Sequence, residues 1–96
     1  MYGLISRIRA VKDRRDELAA ILGGIGEMPG CISYVVALED SDSQAIWVSE
    51  VWESTEAHSA SLGTRSVQEA IEQGRPLIDR FDQRIETKPT GGIGLP

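Results

Sequence analysis

Apolar and polar positions alternate from Tyr2 to Val11. Tyr2, Leu4, Ser6, Ile8 and Ala10 share one face; Gly3, Ile5, Arg7, Arg9 and Val11 share the other, which predicts a β-strand. The period then changes. After Asp13, residues Leu18, Ile21, Leu22 and Ile25 recur at helical spacing. Gly23-Gly24 is expected to end that helix in the left-handed conformation that glycine adopts without penalty. The charges Lys12, Arg14, Arg15, Asp16 and Glu17 at its start are expected to face water. Met28-Pro29-Gly30 has the residue order of a type II turn. A second strand, Cys31 to Glu39, contains Val35-Val36-Ala37-Leu38 with no polar face and is expected to be buried on both sides. Cys31 at its start reads as a small apolar residue.

The polar run Glu39-Asp40-Ser41-Asp42-Ser43 predicts a hairpin loop. It lacks the glycine and distal glutamate of a calcium loop. Strand three, Gln44 to Glu53, puts Trp47, Ser49 and Val51 on one side and Ile46, Val48, Glu50 and Trp52 on the other. A helix from Ser54 to Gln73 follows, with a hydroxyl at its start to cap it. It breaks at Gly63 and is expected to restart on a capping box, Ser66 to Glu69. Gly74-Arg75-Pro76 ends it; Leu77, Ile78 and Phe81 then read as packing residues on a connecting turn. A last strand is expected from Asp82 to Thr87 with Ile85 inward. The breaker-rich tail from Lys88 should be irregular yet able to dock through Ile93 and Leu95.

Strand-helix-strand, strand-helix-strand predicts an α+β, ferredoxin-like βαββαβ antiparallel sheet with both helices on one face, in one domain spanning residues 1–96. Strands two and three are apolar on both sides, so a second sheet is expected to cover the open face. That implies a homodimer, a dimeric α+β barrel.

Composition narrows the partners. With 15 acidic and 10 basic residues the net charge is −5, which disfavours nucleic acid and anionic membrane surfaces. No apolar run approaches the roughly 18 residues of a membrane span. The N-terminus lacks the charge-then-apolar order of a signal peptide, so a cytoplasmic location is expected. One cysteine and one histidine make neither a disulfide framework nor a metal set.

The chemistry-bearing residues converge on strand three and the helix after it. His58, the sole histidine, carries an imidazole that titrates near neutral pH and suits a general base. Glu50 sits between Val48 and Trp52; a carboxylate on an apolar face either pairs with an arginine or has a raised pKa. Tyr34 offers a hydrogen-bond donor, Ser6 a hydroxyl on an apolar face, and Trp52 an aromatic wall. Each also has a structural reading. His58 can cap or pack at a helix start, the tryptophans can serve core or dimer interface, and Tyr34 can pack at a rim. Glu50 can pair with Arg7 or Arg84, and Ser6 can be a tolerated small residue.

The segments MPGCISYVVALEDSD and IWVSEVWESTEAHSASLGTRSVQEAI, with the GGIGL tail, resemble the antibiotic biosynthesis monooxygenase family, and its quinol monooxygenase branch in particular. The resemblance runs from Tyr2 to Leu95. It implies a dimeric α+β barrel, and oxidation of a quinol or polycyclic phenol by molecular oxygen with no cofactor. The haem-degrading branch has a strand-one asparagine, a helix-two tryptophan and a haem-ligating histidine where this chain has Ser6, Ser61 and Ile71. Isoleucine cannot ligate iron, so haem degradation is not expected. For that activity the side-chain chemistry makes His58 the candidate catalytic base and Ser6, Tyr34, Glu50 and Trp52 the candidates to hold a small aromatic substrate. The alternatives are a dimer that binds or senses a small aromatic without turning it over, and a purely structural dimer.

Overall fold

A computed structural model describes all 96 residues, Met1–Pro96. The chain runs β1 (Tyr2–Ala10), α1 (Arg15–Gly23), β2 (Cys31–Leu38), β3 (Ala45–Trp52), α2 (Thr55–Ser61), α3 (Arg65–Gly74), a 3₁₀ turn (Arg75–Leu77) and β4 (Ile78–Thr87). The four strands form one antiparallel sheet in the order β2-β3-β1-β4. This is the expected ferredoxin-like α+β arrangement, with its second helix split in two.

Register decides which residues share a face. Ser6 lies opposite Val48 and Ile8 opposite Ile46, so the alternation of β1 extends across β3. Ile8, Ala10, Ile46 and Val48 pack with Leu18 of α1 and with Leu77. Leu18 is fully enclosed, and burying a leucine contributes about 1.5–3 kcal/mol. A smaller cluster of Tyr2, Leu4 and Trp52 closes the other end, against Met28, Cys31 and Ala57.

The other face of the sheet has two halves. One is charged: Arg7 binds Glu39, Asp42 and Asp82, and Arg9 binds Asp42 at 2.7 Å. The guanidinium of Arg7 stands 5.9 Å from the Trp47 ring centre, and Trp47 Nε1 donates to Glu39 Oε1 at 2.7 Å. The second half carries Ile5, Val35, Val51 and Ile85, with Val35 and Ile85 about half exposed at 53% and 48%.

Several local expectations need correction. Gly24 has φ −95°, not a left-handed angle, because its N–H tightens the last turn onto Ile21 O. Arg15 is not merely solvated; its Nη1 donates to the carbonyls of Glu39 and Asp42, tying α1 to the hairpin loop. β2 is not buried on both sides within one chain, because nothing in the chain covers the open face on which Val35 and Ala37 stand exposed. The Ser66–Glu69 capping box does not form: Thr64 is the N-cap of α3, Ser66 donates to Glu27 O, and Glu69 accepts from Arg65. β4 begins at Ile78 rather than Asp82, and therefore takes in Ile78 and Phe81. Ile85 points to the open face, opposite Ile5, because register shifts interrupt the alternation of β4. In the tail, Ile93 is fully exposed rather than docked.

The Pro-Gly turn forms as expected: Gly30 has φ +85° and Cys31 N–H bonds Met28 O at 3.0 Å. It also sets the position of α2. A side chain at Gly30 would meet Ala57 Cβ at 2.6 Å, so only glycine lets this helix lie so close.

Candidate active site

A cavity of about 510 Å³ lies between the helix-covered face of the sheet and the α2–α3 layer. Strand pairing builds its floor. Tyr34 and Leu4 flank Glu50 on the neighbouring strands, and one row along Val48 and Arg84 flank Ser6. The helices supply the roof: His58 from α2, Leu62 after it, and Ile71 from α3, with Arg75 beyond. Ten of the sixteen lining residues are hydrophobic, so the cavity offers a bound molecule a mainly apolar surface.

The segment that brings His58 in is locally encoded. Ser54 is extended and its Oγ accepts from Ala57 N–H at 3.0 Å. Such a cap is worth about 1 kcal/mol. His58 follows within one turn, and its imidazole sits 5.4 Å from the Tyr2 ring and 5.3 Å, edge-on, from the Trp52 ring. Ser61 Oγ donates to His58 O at 2.6 Å and fixes the end of the same helix.

Four of the five residues singled out from sequence, Ser6, Tyr34, Glu50 and His58, line this one cavity. Trp52 does not. It is 1% exposed and lies behind the wall, where its Nε1 donates to Glu50 Oε1 at 3.0 Å. Glu50 pairs with neither arginine considered for it. Arg7 is on the opposite face, and Arg84 instead lies 3.8 Å from Glu86. Burial raises the Glu50 carboxyl above its ordinary range, opposed by the Trp52 hydrogen bond and by the charges of His58 and Arg84. The Tyr34 phenol is pushed up to about 12, first by burial and then by Glu50, so it remains a donor at neutral pH. Burial also raises the Cys31 thiol, which disfavours the nucleophilic thiolate.

Sequence reading missed Arg75, Arg84, Phe81 and Ile71 as lining residues. Gly74-Arg75-Pro76 registers only as a helix stop. Arg84 reaches the site solely because β1 and β4 pair Ser6 with it, and no local pattern announces that pairing.

The fold and cavity together define a small α+β domain with an apolar, aromatic-sized pocket carrying a few convergent polar groups. Residues 1–73 match the family model for antibiotic biosynthesis monooxygenases, and the chain belongs to that family. A solved structure from Chloroflexus aurantiacus J-10-fl, assigned to the same family, is 54% identical with a TM-score of 0.95, covering 99% of this chain and 98% of the other. A Deinococcus radiodurans structure shares the fold at 19% identity and a TM-score of 0.78, over 97% and 96% of the two chains. A Mycobacterium tuberculosis protein does so at 20% identity and a TM-score of 0.78, over 96% and 97%. Among proteins of curated function, none matches this chain.

Proposed function

We propose that this protein is a monooxygenase that oxidises a quinol or polycyclic phenol with molecular oxygen, the substrate itself supplying the electrons. The observation that carries this reading is the convergence of Ser6, Tyr34, Glu50 and His58 on one apolar cavity. A phenol becomes able to reduce oxygen once its hydroxyl is deprotonated. His58 is the base for that proton. Tyr34 and Ser6 donate hydrogen bonds to the oxyanion that develops. Glu50, backed by Trp52, faces the imidazolium that His58 becomes. One atom of oxygen then enters the ring and the other leaves as water, with the substrate's two electrons and two protons completing the balance. The apolar walls keep bulk water from the activated ring.

The working unit in this reading is a homodimer. The apolar half of the open face (Ile5, Val35, Val51 and Ile85) supports a second copy seated there.

Oxygen uptake over a panel of hydroquinones and polycyclic phenols, with catalase and chelator present, tests the activity. Uptake above autoxidation that falls about a hundredfold or more in His58→Ala supports it, that being the low end for loss of a general base. Equal uptake in both proteins removes His58 from the chemistry. No uptake on any substrate leaves a protein that binds small aromatics without turning them over.

A further inference from the structure

We infer that the substrate carries an acidic group, a carboxylate on a hydroxylated polycyclic aromatic, and that Arg75 and Arg84 hold this group at the mouth of the cavity. The inference rests on the cavity's being the substrate site.

Charge placement is the first argument. The chain carries eight arginines and a net charge of −5. Arg7, Arg9, Arg14, Arg15, Arg65 and Arg80 each have a carboxylate oxygen within 4 Å. Arg15 reaches its carboxylate, Asp16, only at 3.8 Å but also donates to two backbone carbonyls, whereas Arg84 has only a 3.8 Å contact with Glu86, whose other oxygen already accepts from the Tyr2 hydroxyl. Arg75 has none. The two arginines with the least internal engagement therefore line the same cavity, one from the end of α3 and one from β4. In an acidic protein, such cations are where an anion docks. The planar guanidinium fork matches a carboxylate with two parallel hydrogen bonds.

Orientation is the second argument. Phe81, Leu62 and Ile71 line the cavity yet remain 61%, 45% and 36% exposed, so they form an apolar rim beside the arginines. Glu50 lies in the floor. An anion driven inward meets this carboxylate; an anion held outward meets the arginines. A carboxylated aromatic thus has one favourable pose, with the acid at the rim and the ring against Ser6, Tyr34 and His58. A neutral quinol leaves both guanidinium groups unused.

Calorimetric titration of the whole protein with a redox-inert pair, a hydroxynaphthoate and the corresponding naphthol, tests this independently of turnover. The acid is expected to bind at least about tenfold tighter than the naphthol, a preference that weakens as salt rises. Arg75→Gln should abolish most of that preference, weakening the acid at least about fivefold more than the naphthol, and Arg75→Lys should restore part of it. Equal affinity for the two ligands, no binding of either, or a preference that survives in both Arg75→Gln and Arg84→Gln overturns the inference. Arginine-dependent acid binding without oxygen uptake on any substrate leaves this inference standing and removes the oxygenase. Uptake on neutral quinols with no acid preference does the reverse.

Discussion

Trp52 Nε1 donates to Glu50 Oε1 at 3.0 Å between two residues on the same face of β3, one walled off from the cavity and the other lining it. The indole thus supports a half-buried carboxylate from behind. Losing that donor leaves the carboxylate less well solvated and opens a void in the core. Trp52→Phe is expected to cost about 2–4 kcal/mol, measured by urea unfolding at neutral pH. An unchanged midpoint would show that the contact carries no weight.

Glu50 itself should cost stability when ionised. Its folded pKa is raised, so the folded state binds the proton more tightly than the unfolded chain does. Stability should then decline as pH rises from the ordinary carboxylate value through the raised one. Glu50→Gln keeps an acceptor for Trp52 and removes the charge. It is expected to raise stability by up to about 1 kcal/mol at pH 8 and to flatten the decline. Paired thermal melts from pH 4 to pH 8 check both signs.

On the open face the sign is opposite. Arg7, Arg9 and Trp47 hold the Glu39 and Asp42 carboxyls down to about 2. Their contribution is present above the ordinary carboxylate range near 4 and is lost as pH falls toward 2. An acid titration followed by circular dichroism should show cooperative loss of structure in that window. Glu39→Gln should shift it to higher pH, because the remaining network is weaker at every pH above it.

Gly30 combines positive φ with a close approach to Ala57. Gly30→Ala is expected to destabilise the protein by about 1–3 kcal/mol and to displace α2, with His58 on it. Naphthol affinity should therefore fall along with the unfolding midpoint. A loss of stability with ligand affinity intact would uncouple the turn from the site.

Two copies should associate through the open face. The wild type is expected to sediment at twice its 10.5 kDa protomer mass, and Val35→Asp, placing a charge on the apolar half of that face, to sediment as a monomer. A monomeric wild type at micromolar concentration would rule out the dimer.

Local signals were sufficient for much of this. Alternation in β1 correctly separated Ser6 from Arg7, because a strand's side chains change faces every residue. The Ser54 cap and the Pro29-Gly30 turn were legible because both depend on adjacent backbone. Where interruptions entered, the same logic failed. Register shifts in β4 turned Ile85 outward, and Thr64 displaced Ser66 as the cap of α3.

By itself the sequence determined the order of elements, the fold class and four residues of the cavity, since periodicity, capping and turn chemistry act over a few neighbouring positions. Only the tertiary structure decided which face holds the cavity, that Trp52 stands behind Glu50 rather than beside a ligand, and that Arg75 and Arg84 join it. Those outcomes depend on strand register and helix docking between segments far apart in the chain, and no short window of residues contains that information.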